Sequence, residues 1–412
     1  MASTTSPLKF GAFISPTHSN RVNPTLAMQR DVELIEHLER LGYDEAWVGE
    51  HHSAGWEIVG SPEILLSFAA ARTNRIRLGA GVVSLPYHHP LNVVERFVLL
   101  DHLSRGRVIL GVGPEALPYD SEAIGVSPLD TRTRMEESLE AILGLLDGER
   151  VSMTTDWFKL DRAALQLMPY KATGLDLAIA GTITPNGPRL AGRLGVPLLS
   201  MNRACPAGFP VLAEHWNIME EQHQRHGTPI DRNDWRVVGP MYVAETEVQA
   251  YRDVADGIEK WAYYNEKVST QPILPIGGKS GTWARTLVES GFAVIGTPEQ
   301  AAAQIQRLQD QSGGFGTYLI WANDWANPMN THRSYELIAS EVFPRFNPGS
   351  RALIRGGGVG DPPAPGAYTE RPGLEGEGSA GVRDRASFDS GFVNEADGPV
   401  QLLQTRASGL TP

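Results

Sequence analysis

Cysteine is almost absent. Cys205 stands alone in 412 residues, so no disulfide framework can form within the chain. Nothing near it in sequence would activate its thiol, and it is expected to be inert. Long apolar runs are missing too. None approaches the roughly 20 residues that a bilayer-spanning helix needs. Residues 1–7 are rich in Ser and Thr and lack the basic-then-apolar order of a secretion signal, so a cytoplasmic location is expected. Positive charge is in short supply: 36 Lys and Arg face 48 Asp and Glu, a net charge of −12. That argues against nucleic acid and membrane surfaces as partners. It leaves a small organic substrate open.

What is present is an alternation of short apolar strands with amphipathic helices. Lys9–Ile14 reads as the first strand. Pro24–Leu41 reads as a helix with Leu26, Val32, Leu34, Ile35 and Leu38 largely on one face. Gly42 supplies the positive φ that ends it, and Ala46–Val48 is the second strand. Further strands are expected over 76–83, 107–112, 175–180, 196–200, 235–243 and 316–321. Helices are expected between them, one capped by Ser61 and running to about Thr73, and the loop leading to Pro128 is longer than usual. Two segments break the rhythm: a small hairpin over 151–160, and a Gly/Pro/Ser/Thr-rich lid over about 267–292. Eight strand–helix units make an α/β fold, the (β/α)8 or TIM barrel with insertions, over residues 1–348. Residues 349–412 lose all period and read as a disordered or loosely attached tail.

In such a barrel the C-terminal ends of the strands hold the chemistry. Glu50-His51-His52 sits at one of them, and an imidazole there titrates near neutrality. The plainer alternative is hydrogen-bonded packing. A metal is the weaker functional reading, because adjacent residues on an extended strand face opposite ways and His51 and His52 would not share one ion. No metal is expected. The stretch Gly181-Thr182-Ile183-Thr184-Pro185-Asn186-Gly187-Pro188 follows a strand and opens a helix, where free N–H groups favour a dianion. It is equally readable as an ordinary capped loop. Gly79-Ala80-Gly81-Val82 and Gly111-Val112-Gly113-Pro114 place small residues at strand ends, where a flat ring could approach the backbone. His18 and His88-His89 lie in polar loops. Trp321 and Trp325 are either cavity wall or packing.

Several ordered motifs resemble the bacterial luciferase-like flavin monooxygenases, and within them the limonene monooxygenase-like branch. They are Lys9-Phe10-Gly11, the run from Gly42 to His52, Leu85-Pro86-Tyr87-His88-His89-Pro90, Leu100-Asp101-His102-Leu103-Ser104-Arg105-Gly106-Arg107, Gly125-Val126-Ser127 with Arg132, and Arg189–Pro197. Together they span about residues 8–345. The resemblance implies a monooxygenase that uses reduced flavin mononucleotide (FMN), supplied by a separate flavin reductase, and O2 through a C(4a)-peroxyflavin. The substrate implied is a small, largely apolar organic molecule, and the assembly a homodimer. It implies catalytic roles for His51 and its neighbour His52. Gly81 and Val82 match the pair joined by a non-prolyl cis peptide under the flavin ring. Thr184 and Gly187 match phosphate-binding positions, with Thr182 and Asn186 nearby. Gly113 and Met201 join the cofactor contacts. Gly187 lacks a side chain, and Gly113-Pro114 replaces a pair that carries an Arg in luciferase, so aldehyde-dependent light emission is not expected. Two alternatives remain: a deazaflavin-dependent hydride-transfer enzyme on the same fold, and a non-catalytic flavin-binding subunit, against which the intact Glu50-His51-His52 argues.

Overall fold

Asn23 begins the first helix by accepting the N–H groups of Thr25 and Leu26, with Pro24 at the first position. Gly42 ends it at φ 91°, a left-handed turn that returns the chain to the sheet. The same local rule repeats around a closed ring. The computed structural model describes residues 6–114, 117–201, 208–269 and 278–347. Cys205, Glu115, residues 270–277 of the expected lid and the expected tail lie outside the described residues.

Twelve strands occur among the described residues: β1 (Lys9–Ile14), β2 (Glu45–Val48), β3 (Arg77–Ala80), β4 (Val83–Ser84), β5 (Val108–Gly113), β6 (Val151–Thr154), β7 (Lys159–Ala163), β8 (Asp176–Gly181), β9 (Leu198–Met201), β10 (Arg236–Val243), β11 (Val294–Gly296) and β12 (Thr317–Ala322). Eight of them close a parallel barrel in the order β1, β2, β3, β5, β8, β9, β10, β12 and back to β1. This is the expected (β/α)8 barrel. Strand β4 pairs with β5, β11 pairs with β10, and β6 with β7 forms the expected antiparallel hairpin.

The helices are α1 (Pro24–Leu41), α2 (Pro62–Ala70), α3 (Pro90–Ser104), α4 (Pro118–Ile124), α5 (Thr131–Leu146), α6 (Asn186–Leu194), α7 (Gly208–His226), α8 (Glu247–Lys267), α9 (Trp283–Glu289), α10 (Pro298–Ser312), α11 (Pro328–Leu337) and α12 (Phe343–Phe346). Four expectations need correction. The strand expected over 76–83 is broken by a cis peptide between Gly81 and Val82. The segment expected to be a long loop before Pro128 contains α4, and the expected lid contains α9. Both have seven residues, too short for a helical period to show in sequence. Ser61 stands at the start of α2 without a side-chain capping bond, and α2 ends at Ala70 rather than Thr73.

Two apolar layers form because successive strand residues face opposite ways. The outer layer lies between barrel and helices and includes Phe10, Ala46, Leu78 and Leu198. The inner layer fills the barrel and includes Phe13, Trp47, Ile109, Ala178, Leu199 and Val238. Trp47 lies beside Gly79 in the register of β2 and β3. A Cβ at Gly79 would run into the Trp47 ring, and one at Gly111 would come within 2.8 Å of it. The indole therefore occupies space that two strands leave empty. Below it, Glu45 accepts the Trp47 indole N–H at 2.9 Å and is bridged by Arg236 at 2.8 and 2.9 Å. The Arg236 guanidinium lies over the Trp47 ring, 5.4 Å from its centre. Burial pushes the Glu45 carboxyl up, but Arg236 outweighs it and holds the group at about 2. The lower barrel is thus sealed by one aromatic ring and one buried ion pair.

This packing makes Gly79→Ala costly, because Trp47 has nowhere to move. A loss of about 1–3 kcal/mol is expected, read as a lower urea midpoint. An unchanged midpoint would contradict the tight seating of Trp47.

Candidate active site

Above Trp47 the inward positions shrink. Gly49 succeeds Trp47 along β2, Gly81 and Gly113 stand without side chains at the ends of β3 and β5, and the space they leave belongs to a cavity of about 470 Å³ at the C-terminal ends of the strands. That volume is within the roughly 300–1,000 Å³ of small-molecule and cofactor sites. A Cβ at Gly113 would sit 2.5 Å from the Val82 side chain, and one at Gly81 would strike the Phe13 ring. These glycines keep the cavity floor flat.

His51, Gly81, Val82, Gly113, Thr182, Thr184, Asn186, Gly187 and Met201 all line this cavity. His52 does not. The chain leaves regular strand geometry after Val48, so the alternating-face rule stops short of the histidines. They separate all the same. His51 Nδ1 meets Asp120 at 2.8 Å and its Nε2 meets Glu57 at 2.7 Å. His52 Nε2 turns to Glu50 at 2.9 Å, and His88 Nε2 reaches the same Glu50 oxygen at 2.8 Å. The other Glu50 oxygen accepts the Ser84 N–H at 3.3 Å. Glu50, His52 and His88 thus offer one carboxylate oxygen and two imidazole nitrogens within 4.8 Å of one another. They are also the donors that satisfy this buried carboxylate.

The His51 cluster is an acid–imidazole–acid arrangement. Asp120 also accepts the His52 backbone N–H at 3.0 Å and the Ser53 hydroxyl. Glu57 also accepts the hydroxyls of Thr17 at 3.1 Å and Tyr264 at 3.0 Å. Burial disfavours charge on His51, but Glu57 and Asp120 outweigh it and hold the imidazolium up to about 10. Burial pushes both carboxyls up as well, and His51 brings each below the ordinary range. With both ring nitrogens donating to carboxylates, His51 is a cation at neutral pH and keeps a proton at the cavity wall. Glu57 and Asp120 carried no sequence signal: neither is adjacent to His51, and Asp120 lies on the unforeseen α4.

The opposite end of the cavity is the turn from β8 into α6. A Cβ at Gly187 would come within 2.5 Å of the Ala180 carbonyl, so only glycine lets the turn close. Asn186 and Gly187 open α6, and Thr182 and Thr184 share the wall with Arg132 and Thr131 from the start of α5. Helix N-termini with hydroxyls and a guanidinium suit an anionic group. Phe13, Trp261 and Trp321 supply apolar wall. Trp325 does not; with His18 it lines a second cavity of about 450 Å³ that shares Thr17 and Trp261 with the first. There His18 is held between Asp31 and Asp324 at 3.0 and 2.7 Å.

A parallel barrel with a glycine-floored cavity and charged groups at its strand ends defines a TIM-barrel enzyme. Comparison with known proteins identifies its family. Residues 8–313 match the luciferase-like monooxygenase family model. The chain is 46% identical to limonene 1,2-monooxygenase of Rhodococcus erythropolis over 84% of this chain and 89% of that one. It is 44% identical to 4-hydroxyprotoasukamycin monooxygenase of Streptomyces nodosus subsp. asukaensis over 82% and 92%. Among solved structures, the oxygenating constituent of 3,6-diketocamphane monooxygenase from Pseudomonas putida, in complex with FMN, superposes with a TM-score of 0.70 at 22% identity, covering 82% of this chain and 99% of that one. The chain belongs to the luciferase-like monooxygenase family and is an oxidoreductase.

The state of His51 has a measurable consequence. Its pKa is raised from 6.5 to about 10 in the folded protein, so its stabilisation is complete below pH 6.5 and is lost as pH rises towards 10. The thermal midpoint of the native protein should exceed that of His51→Gln most at pH 6.5, and the gap should close as pH approaches 10. A gap that is constant or grows with pH would contradict a held imidazolium.

Proposed function

We propose that the protein is a flavin-dependent monooxygenase that uses reduced FMN and O2 to oxygenate a small, largely apolar organic molecule. The observation that carries this reading is the shape of the cavity. Its glycine floor at Gly81 and Gly113 suits a flat ring, and its far end, with Thr182, Thr184, Asn186, Gly187 and Arg132, suits a phosphate dianion. The buried His215 imidazole lies beneath that same turn, against the Thr182 backbone. The relatives' names support the substrate class, limonene being a small hydrocarbon.

Reduced flavin, when bound, activates dioxygen so that one oxygen atom enters the substrate and the other leaves as water. The chain's own groups then have defined tasks. Gly81, Val82 and Gly113 carry the ring. The 182–187 turn holds the phosphate. Phe13, Trp261 and Trp321 exclude water, which protects an oxygen-activated cofactor from wasteful breakdown. His51 keeps a proton on Nε2, shared with Glu57, where water formation consumes protons. His52 acts at one remove, by fixing Glu50. The reduced flavin arrives from a separate flavin reductase. The chain works as a homodimer, for which the outer faces of α2 and α3 supply exposed Ile64, Phe68, Leu99 and Leu103. Hydride transfer with a deazaflavin is the competing class on this fold.

The test is anaerobic titration with reduced FMN, then rapid mixing with O2 and limonene as probe substrate, with light scattering on the same preparation. Binding of reduced FMN, oxygenated product and a dimer mass are expected. His51→Ala should lower turnover by about 10²–10⁴-fold while changing FMN affinity little. Binding of a deazaflavin with no binding of reduced FMN would overturn the reading.

A further inference from the structure

The wall of the 182–187 turn is backed by a chain of buried side chains that no part of the proposed chemistry uses. Along β9, Leu199 faces the barrel interior while Ser200 faces α7. Ser200 Oγ is 3.0 Å from Nδ1 of His215 on α7, and it accepts the Trp235 indole N–H at 2.9 Å. Trp235 can only donate, so its bond occupies an acceptor site on Ser200. The Ser200 hydroxyl proton is then free to point at His215 Nδ1. In that arrangement Nδ1 accepts and Nε2 carries the hydrogen, the tautomer in which the ring can donate towards the Thr182 backbone.

Among the described residues that Nε2–H meets no hydrogen bond of good geometry, although His215 is only 2% exposed. The ring lies under the phosphate turn. A Cβ on Gly181 would come within 3.4 Å of His215 Cε1. Burial holds the imidazole down to about 4, and the Thr182 backbone offsets this to a lesser extent, so the ring is neutral at pH 7. A buried, neutral imidazole set against the backbone of a turn calls for an explanation. Here it is aimed at the backbone of a turn whose other side faces the cavity.

Resting on the flavin reading above, we infer that His215 is a positioning residue for the cofactor phosphate. Its tautomer is set by the Trp235–Ser200 pair, and its Nε2–H supports the Gly181-Thr182 backbone from below. The Thr182 and Thr184 hydroxyls and the α6 amides are thereby held facing the cavity. The role concerns phosphate recognition alone and gives no help to the flavin ring, which lies towards Gly81 and Gly113.

The experiment is calorimetric titration of FMN, riboflavin and inorganic phosphate into the native protein and into His215→Phe, His215→Gln and Ser200→Ala. Riboflavin carries the same ring without the phosphate. The native protein should bind inorganic phosphate and prefer FMN over riboflavin. His215→Phe should lose the phosphate binding and at least tenfold of that preference, with riboflavin affinity unchanged. His215→Gln, which retains a side-chain N–H, should recover part of the preference. Ser200→Ala, which frees the tautomer without removing the ring, should fall between them, and it keeps the inference testable if His215→Phe does not fold. Equal losses for FMN and riboflavin, or a preference untouched in all variants, would overturn the assignment. Phosphate binding that depends on His215 in a protein that binds neither flavin would leave the assignment standing and sink the flavin reading. A native protein that binds neither phosphate nor FMN would overturn both.

Discussion

The packing of Trp47 divides the barrel into two unlike halves, and the site depends on that division. One indole, seated against Gly79 and Gly111 and tied to Glu45, fills the middle of the barrel. Everything below it is closed. Everything above it is free to be a cavity, because Gly49, Gly81 and Gly113 put no side chain into the space. A barrel interior is ordinarily filled by bulky side chains in layers. Here the bulk is concentrated low, and the emptiness is concentrated where the strand ends meet solvent.

Charge follows the same division. The lower ion pair of Glu45 and Arg236 is fully buried, with its hydrogen-bond capacity used internally. That satisfies two charges that would otherwise be costly in the interior. The upper cluster of His51, Glu57 and Asp120 stands at the cavity wall, where its proton is next to the space a substrate would fill. The two clusters use the same chemistry for different ends. One closes the barrel and the other stores a proton. In the proposed reading the anionic end of a ligand would be met by separate means, through helix N-termini and hydroxyls, away from the carboxylates of the His51 cluster.

Much of this was legible in the sequence, for identifiable reasons. Strand–helix alternation marked the barrel because apolar periodicity survives in single sequences. Gly79-Ala80-Gly81 and Gly111-Val112-Gly113 showed backbone open to a close neighbour because glycine has no side chain, but not that Gly79 and Gly111 seat Trp47 while Gly81 and Gly113 line the cavity. The Gly181–Pro188 turn was legible because its residue types cap helices. What was not legible depends on tertiary placement. Asp120 reaches His51 across 69 residues from a helix too short to announce itself. His88 and His52 meet on Glu50 only because two strand ends are neighbours in the ring. Ser200 comes from β9, His215 from α7 and Trp235 from the residue just before β10, and none of them belongs to a motif.

The central claim is that the glycine-floored half of the barrel is a flavin site with its phosphate on the 182–187 turn. The most direct measurement is a crystal structure of the protein soaked anaerobically with reduced FMN. The account predicts the isoalloxazine over Gly81-Val82 and Gly113, and the phosphate within hydrogen-bond distance of Thr182, Thr184 and the Gly187 N–H. A flavin bound outside this cavity, or one inside it with its phosphate directed away from that turn, would contradict it.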